Sequence, residues 1–166
     1  GSGASWAAAG MLAPVSELHY QEEQLLELML EASRLWPGFA AAIDAGAAGT
    51  ESRAGTGYLT TPTLAVGADA ADRRALADLR EVQQGCGLAV EPLTVREART
   101  REPLLSPGIS CAFDIPADHQ VDPRLLIGRL ADVLGAEGGS LVRRRAAGLL
   151  WQDGQVAGVR LAGGGS

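Results

Sequence analysis

The chain has 166 residues and a formal net charge of −6, and it is long enough to bury a core of its own. Hydrophobic residues make up 46% and charged residues 20%, a balance that excludes a disordered polypeptide. The acidic pI near 4.9 excludes the basic footprint of a protein that binds nucleic acid or an anionic membrane. No apolar run reaches the roughly 18 residues of a membrane span.

The basic and sulfur-containing residues narrow the chemistry further. All 14 basic residues are arginine, so mechanisms that need a catalytic or phosphate-binding lysine are excluded. Cys86 and Cys111 fit neither a metal-ligand spacing nor a disulfide framework, and we interpret them as reduced thiols. The chain also begins without the pattern of a signal peptide. These features predict a soluble, cytoplasmic α/β protein.

The first half of the chain opens on small residues, Gly1–Pro14, a composition that lets the main chain approach another group closely. Apolar residues spaced three and four apart then predict a helix from Glu17 to about Ala45, which Pro37 kinks or divides. A turn-rich linker, Gly46–Gly57, follows it. Two β-branched runs separated by Pro62 predict strands over Gly57–Thr61 and Thr63–Gly67.

The second half alternates between capped helices and short strands. Asp69 is the expected N-cap of a helix to about Gln84, Thr94 and Glu97 form a capping box, and Asp122-Pro123 starts a helix that ends at Gly135. Asp153-Gly154 is a hairpin turn signal. The predicted strands are Leu88–Pro92, Ile109–Ile115, Leu141–Arg145, Ala147–Trp151 and Val156–Leu161.

The polar residues, taken alone, form no catalytic constellation. His19 and His119 have no second metal ligand at helical spacing, so no metal site is predicted, and we interpret His119 as a surface or capping residue of its turn. The carboxylate pairs Glu22/Glu23 and Glu27/Glu31 are interpreted as solvated surface charge on a helix, although a general acid–base pair stays an alternative. No serine has the flanking glycines of a nucleophile elbow.

Six segments, in order along the chain, resemble the FAD-dependent D-amino-acid-oxidase superfamily, most of all its glycine oxidase branch from the thiamine pathway. These segments are Gly3–Pro14, Glu31–Pro37, Thr63–Asp69, Glu102–Pro107, Asp118–Arg124 and Gly158–Arg160. Two departures are Pro62, where the family usually has glycine, and the extra length at Thr56–Thr61. The resemblance implies an α/β (α+β mixed) fold, part of a Rossmann-like FAD-binding domain with part of an antiparallel-sheet substrate domain.

The resemblance also implies FAD as the cofactor and a set of residues that contact it. Ala4 and Ser5 would lie at the phosphates, and Ala9, Gly10 and Met11 along the ring system, where small side chains let main-chain N–H groups approach. A further main-chain contact would come from Ala147. Close packing of a helix on a sheet is the alternative explanation of these small residues. The resemblance assigns no catalytic residue and no metal ligand to this chain.

For the protein as a whole, the resemblance implies oxidation of a small amino acid by hydride transfer to flavin, hydrolysis of the imine, and peroxide formation with dioxygen. Residues 1–52 and 117–166 would belong to the FAD-binding domain and 53–116 to the substrate domain. A glycine-rich dinucleotide turn would precede this segment and strands that bind the substrate carboxylate would follow it. We therefore expect the segment alone to be inactive, and either to associate through exposed sheet edges and apolar helix faces or to be poorly ordered. A sarcosine oxidase, a D-amino-acid dehydrogenase and a non-catalytic domain stay open as alternatives, as does a homo-oligomer.

Overall fold

The computed structural model describes residues 3–18, 23–46 and 55–163, which form helices and short antiparallel strands. The predicted mixed fold with antiparallel sheets is thereby confirmed. In chain order the elements are α1 (Ala4–Ala7), β1 (Met11–Leu12), α2 (Glu23–Gly46), β2 (Thr63–Gly67), α3 (Ala70–Gly85), β3 (Glu91–Leu93), α4 (Val95–Arg101), β4 (Cys111–Ile115), β5 (His119–Gln120), α5 (Pro123–Ala136), β6 (Ala146–Gln152) and β7 (Gln155–Leu161). None of the helices described is long and apolar enough to cross a bilayer.

A three-stranded antiparallel sheet in the order β2-β4-β3 carries the main apolar core. Along β2 and β4 the register runs from Thr63 opposite Ile115 to Gly67 opposite Cys111. Phe113 and Ile115 of β4 pack with Val90 and with Val15 from the loop after β1. Because Val15 belongs to this core, the segment that follows β1 is joined to the sheet by apolar packing.

Local sequence signals set where α3 and α4 begin. The Asp69 carboxylate accepts hydrogen bonds from the N–H groups of Ala71 and Asp72 at 2.7 and 3.0 Å. Thr94 accepts from the Glu97 N–H at 3.2 Å, while the Glu97 carboxylate accepts from the Thr94 N–H at 2.8 Å. These bonds satisfy amides that a helix leaves unpaired in its first turn, and they confirm the predicted caps.

Helix α2 starts later than predicted and is not divided. The helix is predicted to start at Glu17, but Glu17 belongs to a turn over residues 14–17, which hydrogen bonds from the N–H groups of Val15 and Ser16 hold to the Asp118 carboxylate. The described helix begins at Glu23 and runs through Pro37 to Gly46. Of the two outcomes predicted for Pro37, a kink or a division of the helix, the division is therefore wrong. Most of the predicted linker lies outside the described residues.

Four predicted strands differ from the structure. In Gly57–Thr61 only Leu59 forms a bridge, because Gly57 takes a positive φ of 72°. The strand predicted at Leu88 begins at Glu91, since the Leu88 N–H still bonds to the Gln83 carbonyl at the end of α3. The Ile109–Ile115 strand starts at Cys111. Leu141–Arg145 forms no strand, because the Arg144 N–H bonds to the Val142 carbonyl two residues earlier.

Strands β6 and β7 form the predicted hairpin. Its turn residues, Asp153 and Gly154, have φ values of 52° and 77°, as a tight two-residue hairpin turn requires. Large apolar side chains of this hairpin are exposed: Leu149, Leu150, Trp151, Val156 and Val159. Since Leu149 and Leu150 are neighbours on one strand, apolar side chains are exposed on both faces of the hairpin.

Candidate functional site

Three segments that are far apart in the sequence meet at β5. On one side β5 pairs with β1, with Met11 opposite Gln120 and Leu12 opposite His119. On the other side, Leu59 exchanges main-chain hydrogen bonds of 2.8 and 3.1 Å with Gln120. The small-residue segment 3–12 is thus fixed against the residues that lead into α5.

Gly10 sets how closely segment 3–12 lies against the start of α5. Its φ is +80°, in the left-handed region that favours glycine. The N–H of Val121 donates to the Gly10 carbonyl at 2.8 Å. A Cβ on Gly10 would lie 2.0 Å from the carbonyl oxygen of Val121 and 2.9 Å from Cδ of Pro123. Only glycine fits at this position.

Two open cavities flank the start of α5. The first, which we call the Ala9 cavity, has a volume of about 290 Å³ and is lined by Ala8, Ala9, Gly57, Leu59, Gln120, Val121, Asp122, Pro123 and Arg124. The second, the Trp6 cavity, has a volume of about 310 Å³ and is lined by Gly3, Ser5, Trp6, Pro123, Arg124 and Ile127. Arg124 lines both cavities and is the one basic residue in either lining, so a single positive charge lies beside both parts of segment 3–9.

The Arg124 side chain is held by an aromatic ring rather than by a carboxylate. Its guanidinium carbon lies 4.6 Å from the centre of the Trp6 ring, within the range of a cation–π contact. The nearby Asp122 carboxylate instead accepts hydrogen bonds from the N–H groups of Arg124 and Leu125 at 2.8 and 3.3 Å and caps α5. The guanidinium thereby keeps hydrogen-bond donors for a ligand.

The turn before β5 is held by Asp118, which is fully buried. Its carboxylate accepts from the N–H groups of Val15 and Ser16, each at 2.9 Å, and from the Ser16 hydroxyl. The amide of Gln83 donates to the Val15 carbonyl at 2.9 Å. This network fixes the chain that leaves β1 against the sheet.

His119 lies on β5 and not in the turn, so its interpretation as a capping or surface residue of the turn is wrong. It is half-buried, and its Nδ1 lies 2.8 Å from the hydroxyl of Tyr58. The Tyr58 ring stacks on Trp36 of α2, with 6.2 Å between ring centres. Burial raises the pKa of Tyr58, so its hydroxyl stays protonated and available for this hydrogen bond.

Two of the carboxylates singled out from the sequence lie on the surface of α2. Glu27 and Glu31 are exposed, as predicted, and Glu31 pairs with Arg34 at 2.6 Å on the next turn. Its hydrogen bond from Arg34 holds the pKa of Glu31 below its ordinary value. Among the residues with described placement, no three His, Cys, Asp or Glu side chains form a group that could hold a metal ion. His19 and Glu22 lie outside the described residues.

Five of the six predicted cofactor contacts lie together on segment 3–12, and the sixth, Ala147, lies apart from them on β6. Ala4, Ser5, Ala9, Gly10 and Met11 follow one another along segment 3–12, as the element order requires. Ser5 lines the Trp6 cavity, Ala9 the Ala9 cavity, and Met11 a smaller cavity of about 150 Å³ beside Trp36. Ala147 instead lies exposed on β6 and lines none of these three cavities.

Sequence reasoning missed the residues that reach the cavities from elsewhere in the chain. These are Gly57, Leu59, Gln120 and Arg124. The Asp122-Pro123 cap signal marks where α5 begins, but pairing between segments 50 and more residues apart has no local signal. Only Gly57, a glycine at the start of the predicted strand Gly57–Thr61, was a sign of close approach between chain segments.

A profile of the family described as FAD dependent oxidoreductase matches residues 1–166. The chain belongs to this family. FAD is the family's cofactor, which confirms the cofactor prediction. Among curated proteins, none matches the chain at a significant level.

Several solved structures of oxidases share this fold. Glycine oxidase from Geobacillus kaustophilus is 28% identical, with a TM-score of 0.77 over 90% of this chain and 39% of that chain. Glycine oxidase from Bacillus cereus ATCC 14579 is 24% identical, with a TM-score of 0.81 over 98% of this chain and 43% of that chain. Iminodiacetate oxidase from Chelativorans sp. BNC1 is 21% identical, with a TM-score of 0.70 over 95% of this chain and 42% of that chain. The chain therefore spans about two fifths of each structure.

The residues of segment 3–10 fit a bound flavin dinucleotide. The side chains of Ala4, Ser5 and Ala9 are small and exposed, so main-chain groups along this segment are accessible to a ligand. Gly10 holds the segment on Val121, and Arg124 supplies positive charge beside it. Main-chain N–H groups can bind an anionic pyrophosphate, and a nearby guanidinium can strengthen that binding, so both features suit a flavin dinucleotide.

Proposed function

We propose that the protein to which these residues belong is an oxidoreductase that uses FAD to oxidise a small amino acid, with glycine as the leading substrate. Two findings support this: the family profile covers the whole segment, and a glycine oxidase of known structure is 28% identical over 90% of the chain. The observation that carries the proposal is the arrangement of segment 3–10, held by Gly10 against Val121 with its small side chains exposed to two cavities.

In this proposal Ala4 and Ser5 contact the phosphate side of FAD, while Ala9, Gly10 and Met11 lie along its ring system. The chemistry that FAD supplies when bound is acceptance of a hydride from the substrate carbon. The role of this chain is to position the flavin ring and to exclude water. The Met11 side chain, which is 60% exposed in the structure, becomes covered when the flavin is bound. Ala147 would add a main-chain contact from the hairpin.

The proposed domain assignment follows the strand pairing. Residues 1–52 and 117–166 form parts of the FAD-binding domain, and 53–116 part of the substrate domain. Pairing of Met11 and Leu12 with Gln120 and His119 supports the first assignment, because it joins the two separated segments. The sheet of β2, β4 and β3 supports the second, since all its strands lie between residues 63 and 115.

Glycine is favoured over other small amino acids only by the likeness to glycine oxidases. Iminodiacetate oxidase, at 21% identity, shows the fold and does not distinguish substrates. We therefore treat sarcosine oxidase and D-amino-acid dehydrogenase as the competing activities, and a non-catalytic domain as the competing class. Use of the imine product to build the thiazole of thiamine belongs to the glycine proposal alone.

The test is to express the full-length gene product and measure peroxide release with glycine, sarcosine, D-alanine and L-proline. We expect glycine to give the highest kcat/KM and FAD to copurify. Peroxide from sarcosine alone would move the assignment to sarcosine oxidase, and substrate oxidation without peroxide would indicate a dehydrogenase. A folded protein that neither binds FAD nor oxidises any of the four would contradict the proposal.

A further inference from the structure

We propose that Arg124, held over the ring of Trp6, binds a phosphate group of the cofactor. This inference rests on the proposed function, because it names one of the residues that would hold FAD. It extends the contacts expected from segment 3–12 to a side chain on α5, which reaches the same place from more than a hundred residues along the chain.

The composition of the Trp6 cavity supports an anionic ligand. Of its lining residues, Gly3, Ser5, Trp6, Pro123, Arg124 and Ile127, only Arg124 is charged. The nearest acidic side chain in sequence, Asp122, is engaged with the first amides of α5. The cavity therefore has a net positive lining in a chain whose formal charge is −6, and a phosphate placed there meets no carboxylate of the lining.

The contact with Trp6 prepares the guanidinium for a planar, two-point interaction. A guanidinium that stacks on an aromatic ring keeps its N–H donors in its own plane, where they can form paired hydrogen bonds to phosphate oxygens. The distance of 4.6 Å from the guanidinium carbon to the ring centre shows that the guanidinium already lies over the ring before any ligand binds. Less side-chain entropy is then lost when the ligand arrives.

The cavity lies where a phosphate of the cofactor is expected. Ser5, proposed at the phosphate side, lines the same cavity as Arg124. Ala9, proposed along the ring system, lines the adjoining Ala9 cavity, which Arg124 also reaches. The guanidinium itself lies over Trp6, which lines only the Trp6 cavity, so the positive charge is at the phosphate end of the segment.

The experiment measures FAD affinity of the full-length apoprotein by quenching of flavin fluorescence, at low and high salt. Four variants are compared with the wild type: Arg124→Gln removes the charge, Arg124→Lys keeps it, Trp6→Leu removes the ring, and Arg74→Gln removes an exposed arginine of α3 as the control. ADP, which carries the phosphates without the flavin ring, is titrated separately by calorimetry.

We expect Arg124→Gln to weaken FAD and ADP binding about 10- to 100-fold at low salt, the range of one hydrogen bond to a charged group. The loss should shrink at high salt, because part of the interaction is charge attraction. Arg124→Lys should lose less, Trp6→Leu should lose an intermediate amount, and Arg74→Gln should match the wild type.

Wild-type affinities and salt dependence in Arg124→Gln would overturn the inference and leave the proposed function standing, since Arg124 would then only pack on Trp6. A loss of FAD affinity in Arg124→Gln that ADP does not share would also overturn the inference, because the missing contact would then not be to a phosphate. Absence of FAD binding by the wild type would instead overturn the proposed function and this inference together.

Discussion

The buried carboxylate of Asp118 accepts a hydrogen bond from the main-chain N–H of Val15, which lies 103 residues earlier in the chain, at 2.9 Å. The same carboxylate also receives the N–H and hydroxyl of Ser16. This residue therefore joins the end of the small-residue segment to the turn that leads into β5. The position of the segment depends on a group that carries no part of the chemistry.

Asp118→Asn is expected to destabilise the protein by about 1–3 kcal/mol, because the amide nitrogen of asparagine would face a donor in place of an acceptor oxygen. The measurement is the free energy of urea unfolding of the full-length protein. Asp153→Asn is the matched control, since Asp153 is exposed in a hairpin turn with a positive φ of 52°, a conformation that asparagine tolerates. Equal stability of both variants would contradict the role assigned to Asp118.

Gly10→Ala is expected to destabilise the protein by more than about 2 kcal/mol and to reduce its FAD content. The added Cβ would lie 2.0 Å from the Val121 carbonyl oxygen at a φ of +80°, and both the clash and the backbone strain are unfavourable. Thermal unfolding and flavin content of the purified protein report the two effects. Gly128→Ala, in the middle of α5 with no atom within 4 Å of the new Cβ, should instead gain up to about 1 kcal/mol.

Local signals were sufficient for the helix caps and the last hairpin. Asp69, Thr94 with Glu97, and Asp122 act within three residues of their own positions, so their effect can be predicted without the fold. Asp153-Gly154 likewise fixes its own turn. The predictions of these caps and of this turn were correct because the interactions that form them lie within a few consecutive residues.

The residues that build the site could not be predicted in this way. The turn at residues 14–17 takes in Glu17, where the helix was predicted to start, and Asp118, remote in sequence, holds this turn through the N–H groups of Val15 and Ser16. Leu59 bridges Gln120 instead of forming a strand of its own. Arg124 and Trp6 lie together because α5 packs on α1. In each case a contact between residues far apart in the sequence determines the local structure, and the periodicity of the sequence does not indicate that contact.

Tyr58→Phe is expected to lower stability by about 1 kcal/mol, because it leaves Nδ1 of His119 without the hydroxyl 2.8 Å away. The raised pKa of Tyr58 means that the unfolded chain loses this proton first as pH rises. The stability that protonated Tyr58 contributes to the folded protein is therefore present below about pH 10 and is lost at higher pH. Difference absorbance titration of the wild type against Tyr58→Phe measures the pH at which Tyr58 loses its proton in the folded protein. Tyrosinate formation at or below the ordinary pKa of tyrosine would contradict the prediction.

Acid should weaken α3 and α4 through their caps. Hydrogen bonds from the N–H groups of Asp72 and then Ala71 lower the pKa of Asp69, and those from the Thr94 hydroxyl and N–H lower the pKa of Glu97. This stabilisation is fully present above about pH 4, the ordinary pKa range of carboxyls, and is lost as pH falls through the lower folded values. Asp69→Asn and Glu97→Gln should flatten the fall in unfolding midpoint below pH 4, whereas Glu27→Gln, at an exposed position of α2, should leave it unchanged.

The most direct test of the account is the flavin content of the full-length protein after gel filtration. We expect a yellow protein with the two visible absorption bands of oxidised flavin, in stoichiometric amount. Acid should release the flavin as FAD rather than FMN, and Gly10→Ala should carry less of it than Gly128→Ala. A colourless protein that melts cooperatively and takes up no FAD when the cofactor is added would contradict the proposal that segment 3–12 holds a flavin.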